Sequence, residues 1–207
     1  GGDMGIVAGV GIMAKGKYSS RTEDGGHRRE YEIWKQMIYR CYSPTCKYKR
    51  MTYKTTTVCD EWLDYQVFAE WCNSRSDFEY GGYHLDKDLL CKGESIYSPL
   101  TCCFLPKEIN GFLTIRQSDR GALPAGVTTS HYTPNKQFMV QVYNPETGKR
   151  ECKLFGCVNE AAAWYINRKE RFARYLASRY KDYISDDAFK ALNGFDLKVY
   201  LLTRTLA

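Results

Sequence analysis

The chain has 207 residues, enough for one medium domain or two small ones. Hydrophobic residues make up 43% and aromatics 14%, so a packed core is within reach. No apolar run approaches the roughly 20 residues that cross a bilayer, which argues against a membrane partner, and a net charge of +6 permits an anionic partner without requiring one.

Residues 1–30 are rich in Gly, Ser and charge, with no sustained period, and read as a flexible or irregular segment. No basic start followed by an apolar stretch lies within Gly1–Gly16, so a cytoplasmic location is expected. In "YEIWKQMIYRCY" the residues Tyr31, Trp34, Ile38 and Cys41 or Tyr42 recur at helical spacing. "SPTCKYKRMTYKTT" is basic and turn-like. "VCDEWLDYQVFAEWC" gives a short strand and a second helix, with Asp60 as its expected N-cap. "YHLDKDLL" and "LTCCFL" read as strands around a turn, and "PKEINGFL" opens a short helix with Pro106 near its first turn. "RQSDRGALPAG" reads as a linker.

The later part alternates more cleanly. "GVTTSHY", "KQFMVQVY" and "RECKLFG" are three strands, with Phe138, Val140 and Val142 on the core face of the middle one. Asn159 is the expected cap of a long helix whose buried stripe holds Ala162, Tyr165, Phe172 and Leu176. Its basic residues Arg168, Lys169, Arg171, Arg174 and Arg179 read as a solvated face able to meet phosphate. A short helix around "DDAFKALNGF" and a tail follow. The division is a segment at 1–30, a domain at 31–115, a linker at 116–125, a domain at 126–180, and a C-terminal helix and tail at 181–207.

Nine cysteines, an odd number, and the lack of any CxxC pair favour reduced thiols. Cys41 with Cys46 and Cys152 with Cys157 are spaced C-x4-C, but neither has a second ligand pair. Buried cysteines acting as small apolar residues are the expected outcome.

Metal-assisted phosphodiester hydrolysis needs a hard cation on oxygen ligands and a base for water. A strand pair followed by a helix can present both. Asp86 on the first strand and Asn110 on the helix are placed for metal binding in that topology, with Asp88 beside them. His84, two residues from Asp86 and on the same side of a strand, can serve as base or ligand.

These blocks in order, "YEIWKQMIYRCY", "VCDEWLDYQVFAEW", "LDKDLL" and "YSPLTCCFLPKEIN", resemble the HNH, or ββα-metal, endonucleases of bacteriophages over about residues 31–115. The resemblance implies Asp86 and Asn110 as metal ligands for Mg²⁺ or Mn²⁺, and double-stranded DNA as substrate. Lys87 stands where that family keeps its catalytic histidine. Free lysine is a poor base near neutrality, so Lys87 reads as an electrostatic clamp on phosphate.

Residues 122–175 resemble the AP2/ERF-type DNA-binding domain, through "AGV", "KQFMVQV", "LFG" and "NEAAAWY". That resemblance implies an exposed sheet face for DNA. Thr128, Ser130, Gln137, Gln141 and Tyr143 would face outward, with Lys149, Arg150 and Lys153 on or near the third strand. The expected fold class is therefore α+β, with an HNH-like ββα unit framed by helices, then a three-stranded antiparallel sheet on one helix. The expected function is a phage-type endonuclease or nickase. The rival is a non-catalytic DNA-binding or host-protein-binding factor on a degenerate HNH fold.

Overall fold

A computed structural model describes residues 5–44, 55–91, 94–115 and 122–206. The fold is mixed α+β and divides into two compact units, one of Gly1–Leu105 with Thr203–Ala207 and one of Pro106–Leu202. Among the described residues no helix is long and apolar enough to cross a membrane.

In the first unit, β1 (Gly5–Val7) and β2 (Gly11–Met13) pair as an antiparallel hairpin. Its turn places Ala8 and Gly9 at φ 49° and 79°, the conformation that tight hairpins require. The segment expected to be flexible or irregular is held by side chains that follow it, chiefly Gln66 and Glu70. Gln66 accepts from the Tyr18 amide at 2.9 Å and donates to the carbonyls of Ala14 and Tyr18 at 3.1 and 2.9 Å. Glu70 adds an ion pair to Lys17 at 3.2 Å and accepts from the Tyr18 hydroxyl at 2.6 Å. Backbone groups met by a folded partner are lower in free energy than composition alone suggests.

Helix α1 (Arg29–Tyr42) buries Trp34, Ile38 and Cys41 of the expected stripe, with Met37 joining them and Tyr31 half-buried. Glu30 and Glu32 in its first turn and Arg40 in its last suit the helix dipole. Strand β3 (Thr57–Val58) follows, then a 3₁₀ turn at Asp60–Leu63 and helix α2 (Tyr65–Asn73). The N-cap of α2 is Asp64, which accepts from the Gln66 amide at 2.8 Å; Asp60, the expected cap, opens the 3₁₀ turn instead. A second 3₁₀ turn, Ser76–Phe78, precedes β4 (His84–Asp86), β5 (Ile96–Tyr97) and β6 (Cys103–Leu105). β3 pairs with β5 in parallel, and β4 with β6 antiparallel.

The core of this unit is aromatic. Trp34, Trp62, Tyr65, Phe68 and Phe104 are fully buried, each contributing about 1.5–3 kcal/mol of transfer free energy or more. The Trp34 indole donates to the Trp62 carbonyl at 2.8 Å, so the buried ring keeps its hydrogen bond. Cys41, Cys72, Cys102 and Cys103 pack as apolar residues, whereas Cys59 and Cys91 are half-buried. Burial pushes the Cys41 thiol up to about 11 and the Cys102 thiol up to about 12. Cys46 and the basic segment from Lys47 to Lys54 lie outside the described residues.

The second unit opens with α3 (Lys107–Leu113). Strands β7 (Val127–Thr133), β8 (Lys136–Asn144) and β9 (Lys149–Phe155) form an antiparallel sheet in the order β7-β8-β9. Helix α4 (Val158–Arg179) packs on it. Gly126, at φ +76°, leads into β7 where an added Cβ would stand 2.5 Å from the Tyr165 ring, so only glycine brings the strand this close to α4. The α4 helix begins at Val158, with Cys157 in the cap position, about two residues ahead of the expected cap Asn159, and no side-chain cap. Its buried stripe is Ala161, Tyr165, Lys169, Phe172, Ala173, Leu176 and Ala177; Ala162 is half-buried. Ser185 caps α5 (Asp186–Asn193), and α6 (Leu197–Leu206) forms where a tail was expected. Most of the expected linker, residues 116–121, lies outside the described residues.

The division at Leu105 puts α3 with the second unit, where the sequence suggests a boundary near 115. The reason lies in its partners. Glu108 accepts from the Tyr180 hydroxyl at 2.6 Å and from Arg179 at 3.3 Å. The Phe112 carbonyl accepts from the Lys169 ammonium, and the Leu113 carbonyl from the Tyr200 hydroxyl at 3.2 Å. A seven-residue helix leaves most of its polar backbone ends open, and these side chains of α4 and α6 close several of them.

Lys169 is therefore structural and not part of a solvated basic face. It is 4% exposed, with its ammonium 3.5 Å from the centre of the Phe112 ring, and burial pulls it down to about 7. Its ordinary value is 10.5, so between about 7 and 10.5 the unfolded chain holds a proton that the folded chain does not. Stability should rise with pH across that window and be lost as pH falls through it. Lys169→Met carries no titrating group and should flatten this rise, while leaving the Phe112 carbonyl without its donor. Urea unfolding midpoints of both proteins across that pH range measure this.

Candidate functional site

The expected metal residue Asp86 ends β4. It lies opposite Cys103 of β6, with Leu85 opposite Phe104 and His84 opposite Leu105. Such a short ladder is weak by itself, and a half-buried arginine and a buried aspartate brace it from outside. The Arg29 guanidinium donates to the carbonyls of Phe78 and Tyr83 at 2.5 and 2.9 Å and lies 4.4 Å from the Phe78 ring centre, fixing the loop that delivers β4. Asp77, 2% exposed, takes two hydrogen bonds from Arg75 at 2.7 and 2.8 Å and one from the Phe104 amide at 3.1 Å, which fixes β6. Neither residue is singled out by the sequence. "SRSDFEYGGY" reads as a loop, and an aspartate two residues after an arginine has no distinctive spacing.

Asp86 is 7% exposed. One oxygen, Oδ2, accepts from the amides of Asp88 and Leu89 at 3.0 and 2.8 Å. This side-chain turn stops the strand, so Asp88 lies beyond it and does not share a strand face with Asp86. Oδ1 accepts no hydrogen bond from the described residues. Burial, with the Asp88 charge second, raises the Asp86 carboxyl to about 6.

Lys87 does not pair with Asp86. Its ammonium lies 2.7 Å from Asp88 Oδ1, with the two side chains 11% and 27% exposed, and 5.8 Å from the Tyr97 ring centre. A half-buried ion pair thus stands beside a buried carboxylate. His84 is exposed, and no hydrogen bond holds its imidazole among the described residues.

Asn110 sits in the second unit, half-buried on α3. Its carbonyl accepts from the Thr114 hydroxyl at 3.0 Å, and its side-chain amide makes no hydrogen bond among the described residues. No group of three or more His, Cys, Asp or Glu side chains suited to a metal occurs among the described residues. The donors offered by Asp86, Asp88 and Asn110 are all oxygens, the chemistry that a hard divalent ion takes.

In the sheet, pairing decides which residues share a face. Gln137, Gln141 and Tyr143 are exposed on the side opposite to the buried Val140 and Val142. Arg150 pairs with Tyr143 and joins them. Lys149 and Lys153 do not. They pair with Asn144 and Val140, which puts them on the α4 side along the edge strand β9. The Lys153 ammonium accordingly lies 5.2 Å from the Phe155 ring and 5.9 Å from the Trp164 ring. Thr128 is exposed opposite Met139, whereas Ser130, expected outside, is 5% exposed because the register of β7 shifts between Thr129 and Thr133. Arg168 and Arg171 of the expected basic helix face are engaged by Glu151 at 2.9 Å and Glu146 at 3.1 Å.

Comparison of the chain with protein-family models, with curated proteins and with solved structures finds no match.

The raised Asp86 carboxyl has a thermodynamic signature. Its ordinary value is 3.8, so the unfolded chain gives up the proton at lower pH than the folded one. The stability it contributes is complete below about 3.8 and is lost as pH rises through about 6. Asp86→Asn keeps an oxygen acceptor for both amides and carries no charge. It should flatten that loss and stabilise the metal-free protein at neutral pH by about 1–3 kcal/mol, as read by thermal unfolding from acid to neutral pH in EDTA.

Proposed function

We propose that this chain is a metal-dependent DNA phosphodiesterase, an endonuclease or nickase of the HNH type acting on double-stranded DNA with Mg²⁺ or Mn²⁺. The observation that carries the reading is Asp86: a buried carboxylate at a strand end, with one oxygen committed to the backbone and the other without a hydrogen bond among the described residues. Supporting it are the antiparallel pairing of β4 with β6 and the start of α3 two residues after β6, the chain order in which a strand pair and helix offer metal ligands.

In this reading Asp86 of the first unit holds the ion, with Asp88 beside it. The ion, when bound, supplies positive charge to the phosphate oxygens. Lys87 acts as a fixed cation toward the scissile phosphate, in keeping with its ammonium being held rather than free to swing. His84, exposed and close to Asp86 in the chain, is the group assigned to accept a proton from water. The sheet of the second unit, with its exposed outer face, binds the duplex. The protein acts in the cytoplasm of a host cell if phage-encoded.

A second reading takes the same ion pair the other way. The ammonium of Lys87 is already 2.7 Å from Asp88, so both residues are engaged with each other. In that case the first unit has lost catalysis, and the protein is a DNA-binding or host-protein-binding factor.

A plasmid-nicking time course with Mg²⁺ or Mn²⁺ separates the two. Wild type should nick slowly, Asp86→Ala should be inactive, and Lys87→His should be faster, by about tenfold or more if it restores a general base. Equal inactivity of wild type and Asp86→Ala, with DNA binding intact in both, would establish the second reading. A slower Lys87→His would make His84 the base to test next.

A further inference from the structure

The outer face of the β7-β8-β9 sheet has a chemical pattern that goes beyond DNA binding in general. Along the middle strand, Gln137, Met139, Gln141 and Tyr143 occupy successive outward positions. Pairing sets Thr128 and Leu154 on either side of Met139, Cys152 beside Gln141 and Arg150 beside Tyr143. The centre of the face is therefore thioether and methyl groups, with carboxamides above and below it and one guanidinium at one end.

Negative charge is kept off this face. Within the described sheet and its turns the acids are Glu146 and Glu151. Glu151 pairs with Val142 on the α4 side, where it meets Arg168 at 2.9 Å and accepts from Asn144 at 2.7 Å. Glu146 lies 3.1 Å from Arg171. Lys149 and Lys153 emerge on the α4 side of the edge strand, flanking the face rather than crowding its middle. A nearly uncharged face with lysines along one edge complements a polyanion that presents neutral groups beside a rail of charge. The major groove of duplex DNA is such a surface, and it admits a β-ribbon.

We propose that this face reads A·T pairs in the major groove of duplex DNA; the inference rests on the DNA reading above and deepens it. Glutamine pairs through its carboxamide with adenine N6 and N7, and methyl groups meet the thymine methyl, whereas guanine is taken by arginine or lysine. Gln137 and Gln141 supply the first contact, Thr128 and Met139 the second. Arg150 is the one arginine on the face, so at most one guanine is selected, at the Tyr143 end. Four residues of strand span roughly 13 Å, about four base-pair steps, so the two glutamines address adenines about that far apart. Gln141 gives up little to do so, since its amide lies 3.8 Å from the Met139 sulfur, a weak contact.

The test is fluorescence anisotropy at low salt with duplexes of equal length: A·T-rich, G·C-rich, and the A·T-rich duplex with 7-deazaadenine, which removes N7 from the major groove alone. A single-stranded RNA of the same sequence is the control. Full-length wild type should bind the A·T-rich duplex about tenfold or more tightly than the G·C-rich one. The preference should vanish with 7-deazaadenine and in the double variant Gln137→Ala/Gln141→Ala, and Gln141→Arg should shift it toward G·C. These side chains are exposed, so circular dichroism should be unchanged. Equal affinity for the two duplexes, a preference that survives 7-deazaadenine, or one that survives loss of both glutamines would overturn the inference while leaving DNA binding intact. Binding of neither duplex, or of the RNA alone, would overturn the DNA reading and this inference with it.

Discussion

A carboxylate taken out of water must be compensated where it stands, and the candidate site of the first unit is arranged around that requirement at Asp86. Leaving a buried carboxylate unsupported costs several kcal/mol. Two backbone amides, from Asp88 and Leu89, supply the compensation through one oxygen. The adjacent ammonium, on Lys87, is spent on Asp88 instead. What remains uncompensated is visible in the raised proton affinity of Asp86. The same donation ends β4, so the turn geometry and the electrostatics have one cause.

The strand that carries this charge is too short to hold itself, and the structure solves that with other charged side chains, one half-buried and one buried. Arg29 spans two carbonyls and a ring, and Asp77 binds both a guanidinium and a strand amide. In the second unit Lys169 plays the corresponding part for α3, at the cost of holding an ammonium with no acid beside it. Polar groups in both units thus position backbone, while the aromatic and aliphatic residues provide the burial that keeps them there.

Much of this was legible in the sequence because it depends on period. The stripe of α1 through Trp34, Ile38 and Cys41, and the alternation of Phe138, Val140 and Val142, follow from apolar residues meeting one face. What was not legible depends on single partners. Asp60 and Asp64 both precede an apolar run, and only an intervening 3₁₀ turn makes Asp64 the cap. Lys169 stands on the buried stripe four residues after Tyr165, but its type suggests solvent, and only the Phe112 carbonyl explains it. The inward turn of Ser130 and the split of Lys149 and Lys153 from Arg150 come from strand register, which no local pattern encodes. For the candidate site, the sequence picks out Asp86, Lys87 and Asp88 as a group but not their pairing. Whether a side chain spends its charge on its neighbour or on the backbone is decided by tertiary placement.

The fastening of α3 by α4 and α6 bears on how the chain can be divided. A fragment ending near residue 115 looks self-contained in sequence, since it closes on a strand pair and a helix. It would nevertheless strip α3 of Lys169, Arg179, Tyr180 and Tyr200. Seven residues are too few to stay helical alone in water. Asn110 would then sit on an unstructured end, and an inactive fragment would say nothing about the chemistry of the whole. The helix that follows the last strand of the first unit belongs to the second, because the hydrogen-bond partners described for it lie there.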